Sequence, residues 1–284
     1  MTAALPLFGA FLLGLGSRRW LQQHVSVLVR AQLAGGIGVL AVLSGWSFHV
    51  SVGSVGAILI LLVAQLTAVA AGSWLFRRSG DGPLVAFGMY GNPTFWSLPV
   101  ATATLGAKAA VFLVAYDMLT QPRIALAIRL LRMRAPIAQQ SRTALADYAP
   151  TIGAISGLAL GRFVPAPEEI ATVVAVLGIA LAFVGALLLG VAWPKRFIGR
   201  TQTGLALRGL ALHFTLVPAL LAAATLAGID LPGAVWILAL GPLPTSVVGF
   251  AQVYGYSART AASGLAFSIA AALAFAPLAL LLAH

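Results

Sequence analysis

Long apolar runs recur along the whole of this chain with only short gaps between them, and this pattern limits the folds that it can adopt. Hydrophobic residues make up 61% of the sequence and charged residues 8%. Soluble domains carry about 25% charged residues, so the side chains for a water-facing surface are missing. The runs do not alternate apolar and polar residues, as the strands of a membrane β-barrel do. The sequence therefore predicts an all-α polytopic membrane protein.

Ten apolar segments are predicted to form transmembrane helices. Their spans are 3–17, 31–48, 52–76, 83–105, 109–131, 148–163, 170–193, 203–227, 234–256 and 259–282. About 20 helical residues cross the hydrocarbon core, so the first and sixth spans are short. The first span is not predicted to be a signal peptide, because its positive charges, Arg18 and Arg19, follow the apolar run.

Basic residues cluster in every second gap between the spans. They are Arg18, Arg19 and Arg30; Arg77 and Arg78; Arg132, Arg134 and Arg142; Lys195, Arg196 and Arg200; and Arg259. Cytoplasmic loops of membrane proteins are enriched in Lys and Arg, so these gaps are predicted to be cytoplasmic. Both termini would then lie outside the cell's inner (plasma) membrane. The net charge of +11 follows from this topology, and no nucleic-acid partner is predicted.

A basic stretch near the middle of the chain leaves five predicted helices on each side. Because five is an odd number, the second half would enter the membrane from the opposite face, as an inverted repeat. We predict a first repeat over 1–135, a short basic cytoplasmic loop over 136–147 and a second repeat over 148–284. The fourth helix of each half carries prolines near its middle, Pro93 and Pro99 in the first and Pro242 and Pro244 in the second.

These prolines predict two broken helices, helices 4 and 9. Proline removes a backbone donor and frees a carbonyl, and such groups are tolerated at membrane depth only where protein or a water-filled cavity satisfies them. Two broken helices at corresponding places point to a substrate site near the bilayer midplane. The residues predicted to bind substrate are Asn92, Pro93, Trp96, Ser97, Pro99, Pro244, Thr245 and Ser246.

Several other polar or small residues stand out within the apolar helices. Asp117 is predicted to hold a proton or cation, or to support the helix crossover, since a carboxylate at this depth is costly. Gln121 lies four residues on and shares its face. His213 is favoured as an interhelical hydrogen-bonding partner over a proton carrier. Gly153 and Gly157 predict close helix packing.

Four stretches resemble the auxin efflux carrier family, which includes bacterial transporters of malonate and malate and plant auxin exporters. In helix 4 the matching residues are Gly91, Asn92, Leu98 and Pro99. Between helices 4 and 5 they are Leu105 and Gly106, with Asp117 following. The sequences at 148–161 and 250–268 also resemble the family's sixth helix and its helix 9–10 junction. Ser246 stands where the family has asparagine, and Ser97 where glycine is usual.

The resemblance implies a bile acid symporter-like fold in which helices 4 and 9 unwind and cross. It further implies a transport domain of helices 3–5 and 8–10, a scaffold of helices 1, 2, 6 and 7, and a homodimer. The expected function is secondary transport of a small organic acid by elevator-type alternating access. Export would be favoured by an inside-negative potential, by about 2.3 kcal/mol per charge at 100 mV.

The sequence also leaves other functions to consider. A sodium-coupled importer of bile-acid-symporter type is the alternative; it needs several oxygen ligands, and Asp117, Gln121, Asn92 and Gln252 are few. No His-Glu-x-x-His or phosphate-binding loop is present and no cysteine occurs, so we predict no enzyme activity, no metal and no cofactor. A ligand-sensing membrane protein that does not transport stays open.

Overall fold

The computed structural model describes residues 4–24, 27–28, 31–76, 91–119, 149–193, 200–244, 247–248 and 257–284. Within these ranges the regular structure is helical and contains no strand. The α-helices are α1 (Ala4–Leu21), α2 (Gly38–Ser47), α3 (Val52–Leu75), α4 (Leu98–Leu105), α5 (Ala107–Asp117), α6 (Ala149–Gly161), α7 (Ile170–Ala192), α8 (Arg200–Leu226), α9 (Gly233–Ala239) and α10 (Ala258–Ala283). Gln32–Ile37 and Pro93–Ser97 are π-helical, and Gln22–His24 is a 3₁₀ turn.

Four of these helices, α3, α7, α8 and α10, are long and apolar enough to span a membrane. Helix α6 is a shorter apolar helix, and α2 forms another together with the end of the π-helical segment before it. The described chain thus fits the helical membrane protein predicted from composition. The ten spans and their inverted repeat stay predictions, and the predicted loop over 136–147 lies outside the described residues.

The chain forms two compact units, and each unit draws on both halves of the sequence. The first unit comprises Met1–His49, Pro93–Arg123 and Arg142–Trp193. The second comprises Val50–Asn92, Ile124–Ser141 and Pro194–His284. Helices α1, α2 and α4 to α7 therefore belong to the first unit, and α3 and α8 to α10 to the second. The chain passes from one unit to the other between Asn92 and Pro93, within the stretch predicted to be broken.

In the first unit α2 packs along α6 and α1 packs along α7. The contact between α2 and α6 depends on glycine, as predicted: a Cβ atom at Gly157 would run into the carbonyl of Val42, and one at Gly153 into the carbonyl of Gly38. Such backbone approach is how small residues favour helix association in membranes. The buried Ser44 hydroxyl also joins α2 to α5 by donating to the carbonyl of Val111 at 3.0 Å.

In the second unit α8 packs against both α3 and α10, and α9 contacts α8 and α10. Serine side chains cap the N-termini of two of these helices. Ser51 accepts a hydrogen bond from the amide of Ser54 at 3.0 Å, and Ser257 accepts one from the amide of Thr260 at 3.1 Å. Each cap satisfies one of the orphan donors of a helix start, so both helix starts are defined by the sequence. The short helix α9 is therefore in contact with two long helices, α8 and α10.

Candidate functional site

The helix predicted over 234–256 is interrupted at the prolines. Helix α9 ends at Ala239, and the backbone from Leu240 to Pro244 is not helical. We call residues 240–244 the helix-9 break. Helical structure is seen again at Val247 and Val248, which are both buried. The predicted interruption therefore spans at least five residues of non-helical backbone, at Leu240, Gly241, Pro242, Leu243 and Pro244.

Every backbone N–H of the helix-9 break has a partner. Leu240 donates to the carbonyl of Trp236 at 3.0 Å, and Gly241 donates to the carbonyl of Leu238 at 3.1 Å. Leu243 donates to the hydroxyl of Ser268 at 3.1 Å. The other two positions are prolines, which have no N–H. The two prolines therefore stand at positions where a non-helical backbone would otherwise need two further acceptors.

Two buried side chains from different helices hold this backbone. His213 in α8 is fully buried, and its Nε2 lies 3.1 Å from the carbonyl oxygen of Gly241. Since a carbonyl only accepts, Nε2 must carry the hydrogen. Ser268 in α10 is also fully buried and donates its own hydrogen to the carbonyl of Leu265 at 2.7 Å. The interhelical role predicted for His213 is confirmed.

The residues just before the first predicted break also belong to the second unit. Gly91 has a φ of 70°, a conformation that side-chain-bearing residues rarely adopt. A Cβ atom at this position would lie 3.3 Å from the carbonyl oxygen of Leu238, in the last turn of α9. It would also lie 3.6 Å from Nε2 of the buried Gln65 in α3. Asn92 follows directly and is 3% exposed. The structure therefore brings Asn92 close to the end of α9.

In the first unit the second part of predicted helix 4 starts as a π-helix. This segment runs from Pro93 to Ser97 and continues into α4. Pro99 lies at the start of α4, and in a regular α-helix its ring would clash with the carbonyl four residues earlier, within the π-helical segment. Single π-helical turns are rare and occur frequently at functional sites. The π-helical turn is therefore a second local irregularity at a predicted site.

A carboxylate and a hydroxyl meet beside this π-helical turn. Asp117, the last residue of α5, is half-buried and accepts a hydrogen bond from the hydroxyl of Thr94. Thr94 is 3% exposed. A hydrogen bond to the charged form is one way in which a carboxylate is tolerated away from water. The pair fixes the π-helical segment to α5 through a polar contact inside apolar surroundings.

Ser97 and Trp96 complete the π-helical segment. Ser97 is fully buried, and its hydroxyl makes no hydrogen bond within the part of the chain that the structure describes. Buried polar groups are usually paired, so this hydroxyl is an exception. Trp96 is half-buried. Ser97 and its neighbour Trp96 therefore differ in exposure.

The predicted site residues fall into three groups. Asn92 and Pro244 are buried in the second unit. The first unit holds Pro93, Trp96, Ser97, Pro99 and Asp117. Three others, Gln121, Thr245 and Ser246, lie outside the described residues. The substrate role assigned to each residue stays a prediction.

Sequence reasoning missed Thr94 and Ser268. Thr94 lies between the predicted site residues Pro93 and Trp96, but only the fold shows that it bonds a carboxylate 23 positions away. Ser268 lies in a stretch matched to the family without being singled out, and nothing in a single sequence marks its bond to Leu243. Among the described residues no group of three or more His, Cys, Asp or Glu side chains could hold a metal ion.

Comparison with known proteins gives no family assignment. No protein-family model matches the chain, and no curated protein matches it.

Proposed function

We propose that this chain is a secondary membrane transporter that exports a small organic anion, a carboxylate, by elevator-type alternating access. The observation that carries the proposal is the helix-9 break, in which non-helical backbone is held by buried polar side chains between apolar helices. Irregular backbone at membrane depth is expected where a cavity or ligand site requires it. The likeness to auxin efflux carriers in residues 91–99 supports the same proposal.

The backbone N–H groups of the break limit which groups could bind the acid. A carboxylate ligand needs hydrogen-bond donors. The N–H groups of Leu240, Gly241 and Leu243 are already in use. Side chains are therefore the proposed donors, and in the second unit the buried Asn92 has a side-chain amide with two N–H groups. Thr245 and Ser246 are the other proposed donors.

A membrane location, a topology and an oligomeric state are proposed together with transport. The chain would lie in the inner (plasma) membrane with both termini outside, would form a homodimer and would need no cofactor. Its support is the distribution of the basic residues between the apolar runs. An inside-negative potential would favour export of an anion without a coupling ion.

Sodium-coupled import is the second candidate, and one observation favours it. Asp117 lies at the end of an apolar helix and is paired with the Thr94 hydroxyl. Carboxylate and hydroxyl oxygens are suitable ligands for a hard cation. Sodium coupling would require Asp117 to bind a sodium ion and proton coupling would require it to bind a proton, whereas uniport requires neither.

The first test is ligand-dependent stabilisation of the purified protein. Melting temperatures would be measured in detergent against a panel of mono- and dicarboxylates, with and without sodium. A ligand that binds only the folded state stabilises it by about 2.7 kcal/mol at 100 times its Kd. We expect one class of acid to raise the melting temperature without sodium, and Asn92→Ala to abolish the increase.

A matched variant separates loss of binding from loss of stability. Gln32→Ala also truncates a buried amide, whose nitrogen donates to the carbonyl of Leu181 at 2.9 Å in the first unit. It should lower the melting temperature of the free protein but keep the increase caused by the acid. A response that requires sodium would replace the proposal with the symporter. No response to any carboxylate would refute an organic acid as substrate.

A further inference from the structure

The helix-9 break is stabilised by side chains that do not themselves need to touch a ligand. Helix α9 is only seven residues long, and the backbone after it bends at Gly241 and is not helical at Pro242 and Pro244. Isolated helices this short have little stability of their own. The path of the backbone after Ala239 is therefore set by its neighbours in the second unit.

We propose that His213 and Ser268 are positioning residues, which hold the helix-9 break in the conformation that receives the ligand. This inference rests on the proposed transport function for the identity of the ligand. The two residues belong to different helices, α8 and α10, and both helices contact α9. One bonds a carbonyl of the break and the other an amide of it, two residues apart along the chain.

The hydrogen bonds of Ser268 and His213 determine where the hydroxyl hydrogen and the Nε2 hydrogen point. The Ser268 hydroxyl donates to Leu265 within its own helix, so a lone pair faces the amide of Leu243. His213 presents Nε2–H to Gly241, and its ring is held edge-on to Phe214, with a centroid distance of 4.9 Å. Phe214 in turn stacks on Phe275 of α10 at 5.3 Å. The two positioning side chains are therefore oriented by contacts of their own helices.

Loss of either side chain leaves a particular backbone group without its partner. Ser268→Ala removes the hydroxyl that accepts from the backbone N–H of Leu243. His213→Leu removes the donor for Gly241. An unsatisfied buried group is costly, so the break is expected to move to find another partner. Such a movement changes the geometry of any ligand site that it lines.

The proposal can be tested by hydrogen exchange and ligand affinity on the full chain. Within the break only Leu240, Gly241 and Leu243 carry exchangeable amides, so a peptide covering it reports on few sites. We expect Ser268→Ala and His213→Leu to speed exchange of this peptide about tenfold, the factor that corresponds to one net buried hydrogen bond. The Kd for the stabilising carboxylate is expected to rise by a similar factor. His213→Gln, whose amide also donates, should restore both values.

Two control variants separate positioning from general loosening. Among the described residues, the hydroxyl of Thr215 in α8 bonds only carbonyls of its own helix, those of Ala211 and Leu212, and the hydroxyl of Ser73 in α3 bonds only the carbonyl of Val69. Thr215→Val and Ser73→Ala should leave exchange of the break and the Kd unchanged. The proposal is overturned if Ser268→Ala and His213→Leu exchange at the original rate, or if the controls change as much.

The two proposals can fail separately. If no carboxylate binds the unmodified protein, the organic-acid function is refuted, while the exchange rates still show whether His213 and Ser268 hold the break. If a carboxylate binds and the Kd is the same in Ser268→Ala, His213→Leu and the original protein, transport stands and the positioning role is refuted.

Discussion

The helix-9 break and the π-helical segment Pro93–Ser97 both accommodate prolines within apolar helices, but by different means. In the second unit the helix stops, and the side chains of His213 and Ser268 form hydrogen bonds with the non-helical backbone. In the first unit the chain stays helical but widens into a π-helical turn over Pro93–Ser97. That turn is fixed by a carboxylate, Asp117, through the hydroxyl of Thr94.

This difference follows from where the prolines stand. Pro242 and Pro244 each lack a backbone N–H, and each ring would clash with the carbonyl four residues earlier, so a regular helix does not continue through them. Pro93 opens the π-helical segment, where a missing N–H is tolerated, and Pro99 follows that segment, where its ring would clash with a regular α-helical turn. One site is therefore a gap in a helix, and the other a local change of helical geometry. The variants below test whether the two sites depend on different interactions.

The largest effect is expected at Gly91, beside the helix-9 break. Gly91→Ala places a side chain at a φ of 70° and close to Leu238, and we expect a loss of about 2 to 3 kcal/mol in the free energy of unfolding. The measurement is thermal unfolding in detergent. Gly56→Ala in α3 is the control, because a Cβ there meets nothing within 4 Å, and it should stabilise the helix by up to about 1 kcal/mol. Equal changes in both variants would show that Gly91 has no special conformational role.

A smaller loss is expected at the carboxylate of the first unit. Asp117→Leu leaves the buried hydroxyl of Thr94 without its acceptor, which costs about 1 to 2 kcal/mol. Asp117→Asn keeps an oxygen that can accept and should retain most of the stability. Thermal unfolding of the two variants is the measurement. Equal stability of the Leu and Asn variants would show that the Thr94–Asp117 hydrogen bond does not stabilise the first unit. Loss of transport in the stable Asn variant would implicate the charge itself.

The smallest change is expected at Ser97, and it has the opposite sign. Its buried hydroxyl has no partner among the described residues, so Ser97→Ala should be neutral or stabilise the free protein by about 1 kcal/mol or less. If the hydroxyl binds the substrate, the same variant should weaken acid binding. Ser44→Ala is the matched control, because its hydroxyl bonds Val111 and its loss should lower stability without changing the Kd. A destabilised Ser97→Ala would mean that the hydroxyl is satisfied in the folded protein.

Much of the helical arrangement follows from the sequence because its signals are local. Apolar runs of helical length predict α3, α7, α8 and α10, and the structure gives helices that start or end within a few residues of those predicted. Gly153 and Gly157 predict a close packing surface, since only glycine allows backbones to approach so closely. The boundaries near prolines were less predictable. The span 234–256 was predicted as one interrupted helix, yet its first part ends after seven residues.

The sequence by itself determined that this chain is helical and apolar and that its helices are irregular near two pairs of prolines, because composition and missing amides act through neighbouring residues. It did not determine how the interruptions are satisfied. The bonds from His213 to Gly241 and from Ser268 to Leu243 join residues 28 and 25 positions apart, and Thr94 reaches Asp117 across 23. Such pairs form only when separate helices pack, so the tertiary structure alone decided which polar side chains face the broken backbone.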